Sequence, residues 1–269
     1  MIRADRVTLT LGITIVVIML VMAIVSLFYT PYDPNAMNAK DKFLSPSWSH
    51  LLGTDNFGRD ILSRILQGSR TAFYVGFLAV GIGLSGGIVI GAAAGYMGGW
   101  ADEALMRIMD AMMALPGILL ALMLIAVFQP NLTNTIIAIG VMAIPGMSRI
   151  VRSGFVQCRE LPYVKAARSI GASHLSIMFR HIFPNIMSPV IVAASLSFSG
   201  AILAEAGLSY LGLGIQPPDP SWGRMLNEAQ SHMSRAPWYT LAPGIMITMT
   251  VLGFNLFADG MRDKRDPRG

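Results

Sequence analysis

Long apolar segments alternate with short polar segments along most of this 269-residue chain. An α-helix rises about 1.5 Å per residue, so about twenty apolar residues span a hydrocarbon core of about 30 Å. Six segments approach this length, and the pattern predicts an all-α, polytopic membrane protein with six transmembrane helices. The predicted spans cover roughly residues 9–29, 72–97, 109–128, 134–150, 186–205 and 238–257.

The segment 1–70 is predicted to form one transmembrane helix and a polar loop. The apolar run 9–29 is too long for a signal peptide, and residues 30–32 (TPY) offer no small-residue cleavage site, so we expect a retained helix. The end of the loop has the pattern of an amphipathic helix on the membrane surface. Its apolar residues Ile61, Leu62, Ile65 and Leu66 alternate with Arg59, Ser63 and Arg64. Residues 71–269 are expected to form a core of five spans.

Small residues recur every four positions in the second predicted span. This spacing places them on one stripe of a helix, and such stripes allow close packing of two helices in lipid. The stripe consists of Ala79, Gly83, Gly87, Gly91, Gly95 and Gly99. The same glycines produce a GxGxxG match at residues 81–86, but it lacks the preceding strand of a dinucleotide site. We therefore predict helix packing.

Proline and glycine divide other parts of the core. Pro116-Gly117 and Pro145-Gly146 fall inside the third and fourth predicted spans, where such pairs kink helices. A polar link is expected over residues 98–110. Residues 207–237, rich in glycine and proline, are expected to form a long loop before the last span.

Residues 163–185 (YVKAARSIGASHLSIMFRHIFPN) form a basic, polar insertion between two apolar segments. Pro162 suits the first turn of a short helix, Gly171 its C′ position, and Ser173 the N-cap of a second helix. Pro184 either stops that second helix or opens a membrane helix. At helical spacing the first helix carries small and apolar residues, Tyr163, Ala166, Ala167 and Ile170, flanked by Lys165 and Arg168. We predict a docking helix for a soluble partner.

Composition agrees with a membrane protein. The chain is 54% hydrophobic and 13% charged, with mean hydropathy +0.57, whereas soluble domains carry about 25% charged residues. Its net charge of +5 is clustered in short segments, which indicates membrane orientation rather than nucleic-acid binding. The single cysteine, Cys158, excludes an intrachain disulfide, and the 19 methionines are expected to be packing residues.

Basic residues are concentrated on one side of the predicted topology. Of the 20 Lys and Arg residues, 13 fall on the side that holds both termini and the insertion. The other seven are Lys40, Lys42, Arg59, Arg64, Arg70, Arg224 and Arg235. The positive-inside rule therefore predicts that both termini and the insertion lie in the cytoplasm.

Sequence signals for catalysis or cofactor binding are weak. The chain contains no GxxxxGK[ST] or HExxH motif, and its four histidines are scattered. Glu205, at the outer end of the fifth span, is expected to contact solvent or the helix end rather than to relay protons. We expect no cofactor, no metal site and no enzymatic activity, so the energy for any transport must come from a partner.

The insertion resembles the cytoplasmic EAA loop of permease subunits of ATP-driven importers. The resemblance rests on Ala166-Ala167, Gly171 and Phe183-Pro184, although Lys165 stands where the family usually has Glu. It implies that a coupling loop, residues 151–184, lodges a helix in a cleft of an ATPase subunit. The implied coupling residues are Tyr163, Lys165, Ala166, Ala167, Arg168, Ile170 and Gly171.

Four further stretches resemble the dipeptide, oligopeptide and nickel branch of those importers, in particular its shorter, second permease of the C type. They are LLGTDNFGRDILSRILQGSR, GYMGGWADEALMRIMDAMMALPG, GLSYLGLGIQPPDPSWG and FNLFADGMRDKRDPRG. The resemblance implies the type I permease fold in a bacterial inner membrane. It also implies a heterodimer with a second permease, two cytoplasmic ATPase subunits and an extracytoplasmic substrate-binding protein. Peptides are the expected cargo, with nickel or a metal chelate as the alternative; an ion-gradient-driven transporter is the alternative from another class.

Overall fold

The computed structural model describes the backbone of residues 2–263 and the side chains of residues 7–262. Lys264, Arg265, Arg268 and the side chains of Arg3 and Arg6, which enter the orientation prediction, lie outside the described residues. The described chain is helical and contains no strand. Its helices are α1 (Ile2–Val25), α2 (Ile61–Met97), α3 (Gly99–Met113), α4 (Gly117–Phe128), α5 (Leu132–Cys158), α6 (Pro162–Ser169), α7 (His174–Ser176), α8 (Phe183–Tyr210), α9 (Trp222–Ala229) and α10 (Pro237–Asp263).

Five of the described helical segments are long and apolar enough to cross a membrane. They are Val7–Val25, Ile61–Met97, Leu132–Cys158, His174–Tyr210 and Pro237–Arg262. A sixth crossing requires that α3 and α4, which meet at an angle of 86°, count as one broken span. The all-α membrane fold is thus confirmed, with five or six spans.

The third predicted span differs from a single kinked helix. Pro116 precedes α4 and ends the helical run, since proline has no backbone N–H and disfavours helix in the residue before it. Residues 99–113, predicted mostly as a polar link, instead form the helix α3. Two ion pairs hold α3 against α5. Arg152 donates to Asp102 (Nη2 to Oδ2, 2.6 Å), and Arg149 donates to Asp110 (Nη2 to Oδ1, 2.6 Å).

The predicted surface helix near residue 61 is wrong, because these residues are the first turns of α2. Ile61 and Ile65 are buried, and so is Arg64, which was predicted to lie on the polar face of a surface helix. Trp222 of α9 covers this end of the helix, and its Nε1 donates to the Ile65 carbonyl at 3.2 Å. The alternating pattern therefore marks a buried helix end that is covered by another part of the chain.

Two other boundaries also differ from the sequence prediction. The helix α5 continues through Pro145-Gly146, which was predicted to interrupt it, and ends only at Cys158. Neighbouring helices support a membrane helix that lacks one N–H. Residues 207–237 are not one loop, because α8 extends to Tyr210 and α9 follows. The Ser221 hydroxyl caps α9 by accepting from Arg224 N at 3.1 Å.

Candidate functional site

The elbow, defined as residues 159–176, connects α5 to α8. Pro162 occupies the first turn of α6, and Gly171 has φ +83°. Gly171 N donates to Arg168 O at 3.1 Å and Ala172 N donates to Ala167 O at 3.1 Å, which together form a Schellman motif at the helix end. Ser173 caps the next helix through Ser176 N, and Pro184 lies in the first turn of α8. The predicted helix α6 and the roles of Gly171 and Ser173 at the helix ends are confirmed, whereas Pro184 neither stops nor begins a helix, because the helical run continues without a break from His174 to Tyr210.

One side of α6 is fixed to the helix bundle. Val164 is fully buried and Ala167 is 4% exposed. They pack in one cluster with Phe155 of α5 and with Ile177 and Ile182, which lead into α8. The elbow is thus a packed extension of two membrane helices. Ala167 packs against the helix bundle. It does not lie on the outward face of α6, where the sequence analysis predicted it.

The other side of α6 is open. Tyr163, Ala166 and Ile170 are exposed, Ile170 to 86%, and Lys165 and Arg168 lie beside them. Leu161, Leu175 and Phe179 are also exposed. The Lys165 ammonium lies 3.5 Å from the Glu160 carboxylate, but such solvated pairs contribute little. A surface of large apolar side chains with basic neighbours is typical of a contact with another protein.

Two polar contacts join the elbow to the end of α2. Arg159 Nη1 donates to the Gly95 carbonyl at 3.1 Å, and Tyr96 Oη lies 2.7 Å from His174 Nδ1. A displacement of the elbow is therefore opposed by contacts to three membrane helices.

The small-residue stripe of α2 lies against α5. An added Cβ would lie 2.7 Å from the Ala143 Cβ at Gly83, 2.5 Å from the Met147 side chain at Gly87 and 2.6 Å from the Phe155 Cβ at Gly95. At Gly91 it would overlap the Ser148 carbonyl. Gly99 is not part of this contact, because it lies beyond α2 with open space around its Cα.

A cavity of about 480 Å³ lies between α2, α5, α8 and the bend that joins α3 to α4. Its walls are mostly apolar and include Gly117 and the pair Pro145-Gly146. Residues from each wall are Val80, Met112, Leu115, Met142, Leu196 and Gly200. The sequence indicated kinked helices here but did not predict a cavity.

The ionic clamp, defined as Asp55, Arg59, Arg64, Glu228 and Tyr239, lies at the other end of α2. Arg59 donates to Asp55 (Nε to Oδ2, 2.6 Å) and to Glu228 (Nη2 to Oε2, 2.7 Å). The Tyr239 hydroxyl donates to the same Glu228 oxygen at 3.0 Å. The clamp therefore joins the loop before α2 to α9 and α10.

Electrostatics keep the clamp ionised. Burial opposes the charge of Glu228, but Arg59 and Arg64 outweigh it and hold the pKa of this carboxyl below its usual value. Burial likewise opposes the charge of Arg59, yet Asp55 and Glu228 raise its pKa. From the sequence, these arginines were predicted to be separate surface charges. Their partners Glu228 and Tyr239 are distant in sequence and meet them only in the folded chain.

Glu205 lies in the last turns of α8 and is 1% exposed, so the expected solvent contact is wrong. It makes the alternative contact, at the helix end, by accepting from the Ser209 hydroxyl at 2.7 Å. Among the described residues, no group of three or more His, Cys, Asp or Glu residues could hold a metal ion.

Residues 87–268 match the family of binding-protein-dependent transport system inner membrane components. The dipeptide transport system permease protein DppC of Alkalihalophilus pseudofirmus is 42% identical over 257 residues, which cover 96% of this chain and 84% of the relative. The glutathione transport system permease protein GsiD of Pectobacterium atrosepticum is 42% identical over 254 residues, which cover 94% and 84%.

Two solved structures share the fold at low sequence identity. The inward-facing MetNI methionine ABC transporter matches with TM-score 0.57 and 18% identity over 75% of this chain and 94% of the other. An amino acid ABC transporter with histidines matches with TM-score 0.52 and 20% identity over 74% and 93%. These likenesses confirm the predicted ABC importer permease fold.

Proposed function

The chain belongs to the family of binding-protein-dependent transport system inner membrane components, and we propose that it is the permease subunit of an ATP-driven importer of peptides. Its fold is that of ABC importer permeases. Relatives that match 94–96% of this chain are named for dipeptide, di/tripeptide and glutathione transport. Peptides are therefore the cargo that these names support best.

The elbow is the observation that carries this proposal. Its outward face exposes Tyr163, Ala166 and Ile170, while Val164 and Ala167 fix it to the bundle. A partner that seats on the outward face acts on a rigid body, because the opposite face is packed like a protein core. We infer that this partner is a cytoplasmic ATPase subunit and that Lys165, Arg168 and Gly171 complete the docking helix.

Coupling follows from how the elbow is attached. Closure of an ATPase pair on nucleotide would shift the docked α6, and the buried cluster would pass this shift to α5 and α8. The Arg159 contact to Gly95 would pass it to α2. Such a change requires contacts that differ between two states of the transporter. The glycine stripe permits α2 and α5 to move as one unit, because their backbones are in direct contact.

The proposed topology places the elbow and both termini in the cytoplasm and the ionic clamp outside. It rests on the concentration of basic residues near the elbow side. In this arrangement a second permease completes the pathway, two ATPase subunits bind from the cytoplasm, and an extracytoplasmic substrate-binding protein delivers the cargo.

Copurification tests the elbow assignment. We expect Ile170→Asp, or a scrambled segment 163–171, to reduce recovery of coexpressed ATPase subunits at least tenfold, because a carboxylate would enter an apolar contact. Leu211→Asp is the matched control, since Leu211 is 56% exposed on the loop after α8, far along the chain from the elbow. Full recovery of the ATPase subunits with the Ile170 variant would rule out this docking surface.

A further inference from the structure

A second polar site lies between α2, the start of α5 and the loop that joins α8 to α9. It is a pocket of about 400 Å³, within the range of about 300–1,000 Å³ that is usual for small-molecule sites. Its lining residues are Gln67, Arg70, Thr71, Tyr74, Leu132 and Asp219. In the proposed topology this pocket opens on the extracytoplasmic side, where cargo arrives.

The α2 residues form one face of the helix. Gln67, Arg70, Thr71 and Tyr74 follow the spacing i, i+3, i+4 and i+7, so all four point to the same side. A membrane helix that faced only lipid here would carry apolar residues at these positions. The polar face instead indicates contact with water or with a polar ligand.

Two opposite charges in this pocket have no partner in the part of the chain that the structure describes. Arg70, on α2, and Asp219, on the loop, are both exposed, and neither makes an ion pair or a hydrogen bond within residues 7–262. The charged side chains of the ionic clamp, by contrast, form ion pairs with one another. The pocket therefore offers a free guanidinium and a free carboxylate.

A third polar group is unsatisfied at the same place. The Gln67 Oε1 atom is buried and has no hydrogen-bond partner among the described residues. A buried acceptor without a partner is costly, and rotation of the Gln67 side chain toward a donor bound in the pocket would relieve that cost. Prolines on both sides of Asp219 restrict the loop, so its carboxylate is presented from a stiff backbone.

We propose that this pocket is a subsite for the charged ends of a zwitterionic peptide, an inference that rests on the proposed peptide-import function. Arg70 binds the carboxylate of the peptide, and Asp219, together with the Gln67 amide oxygen rotated into the pocket, binds its ammonium group. An extended dipeptide places these two groups about 7 Å apart, a separation that one small pocket can accommodate. Guanidinium is well suited to carboxylate because it donates two parallel hydrogen bonds. Tyr74, the aromatic residue of the pocket, contacts the side chains of the bound peptide.

Direct binding to the assembled complex tests the subsite. The complex of this chain with its partner permease and ATPase subunits is purified without the binding protein, and saturation-transfer NMR is recorded with L-alanyl-L-alanine. We expect Arg70→Gln and Asp219→Asn each to weaken binding about tenfold, as expected for the loss of a charge-assisted contact. Lys40→Gln removes an exposed positive charge elsewhere on the same side and should leave binding unchanged.

Two further arms identify what is recognised. L-Alanyl-L-alaninamide lacks the carboxylate, so it should bind the unaltered complex about tenfold more weakly and should lose nothing further in Arg70→Gln. Arg70→Lys keeps the charge but not the paired hydrogen bonds of the guanidinium, so it should lose less binding than Arg70→Gln. Equal binding of the dipeptide and its amide, equal loss in Arg70→Lys and Arg70→Gln, or no dipeptide signal with the unaltered complex would each overturn the subsite.

Measurement of dipeptide uptake distinguishes failure of the subsite from failure of the proposed peptide-import function. In proteoliposomes supplied with the binding protein and ATP, the unaltered complex should import the dipeptide. Import without any binding at the pocket would overturn only the subsite. Absence of import by the unaltered complex would instead contradict peptide transport itself. If both variants fail to engage the binding protein while they still bind dipeptide, the pocket is a docking contact and the subsite is wrong.

Discussion

The elbow and the ionic clamp lie at opposite ends of α2, and they differ in which side chains they bury and which they expose. In the clamp, charged groups are buried and nearly all of them have partners in the same chain, as Arg59 does with Asp55 and Glu228. In the elbow, apolar groups are exposed, as Ile170 is, and the ion pair of Lys165 is solvated. The charged groups of the clamp find their partners within this chain, whereas the elbow exposes apolar side chains that its proposed partner protein would cover.

The largest effect is expected from removal of one clamp charge. Glu228→Gln leaves Asp55 as the one acidic partner of the two buried arginines Arg59 and Arg64 within the clamp, and breaking a buried pair in this way typically costs about 3–5 kcal/mol. The free energy of unfolding in detergent, from denaturant titration, measures the loss. Glu103→Gln is the matched control, because Glu103 pairs with Arg107 on the exposed surface and should cost less than about 1 kcal/mol. Similar losses in both variants would contradict the contrast between buried and exposed charges.

The connection between the two regions can be tested at the glycine stripe. Gly87→Ile would force a side chain into Met147 of α5, and overpacking of this kind costs about 1–3 kcal/mol. Gly81→Ile on the same helix is the control, since nothing lies within 4 Å of its added Cβ. Thermal unfolding of the two purified variants should differ, and equal midpoints would show that α2 and α5 are not in close contact.

The role of the elbow can be separated from its stability at Gly171. Gly171→Val should cost about 1–2 kcal/mol, because the left-handed backbone conformation is unfavourable for a residue with a Cβ. We also expect it to uncouple peptide uptake from ATP hydrolysis, measured together in proteoliposomes. Gly212→Val carries the same strain at φ +80° outside the elbow and should leave the coupling ratio unchanged. Unchanged uptake in Gly171→Val would argue against a coupling role for the elbow.

The smallest effect is a dependence of stability on pH that comes from the clamp. The pKa of Glu228 is lower in the folded state than in the unfolded chain, so its contribution is fully present above the unfolded value of about 4.3 and is lost as the pH falls through the folded value. Unfolding free energies measured from neutral pH down to about pH 3 should therefore decline. The decline should be shallower in Glu228→Gln, and parallel curves for the two proteins would exclude this contribution.

Local features of the elbow were predictable from sequence, because they depend on neighbouring residues. Pro162, Gly171 and Ser173 set the start of α6, its end and the cap of the next helix through their own backbone and side-chain chemistry. The buried side of α6 could not be predicted from the sequence alone, and the sequence prediction placed Ala167 on the wrong face of the helix. That assignment depends on Phe155 and Ile182, which reach the elbow from two different helices.

The clamp shows why other parts could not be predicted. Arg64 lies in a pattern that also suits a surface helix, and only the return of α9 and α10 to this point buries it. Its acidic neighbour Glu228 is more than 160 residues away in sequence, and no periodicity carries that information. The break at Pro116 was predictable from proline chemistry, whereas the 86° angle between α3 and α4 depends on packing.

The continuity of α2 has a further consequence. Its 37 residues form one helix, about 55 Å long, which exceeds the thickness of the hydrocarbon core. A stiff rod that tilts about a pivot near the bilayer centre displaces its two ends in opposite directions. Movement of the end near Gly95 is therefore expected to shift the end near Ile61 the other way, so that the two mouths of the pathway would open out of phase without any hinge within this helix.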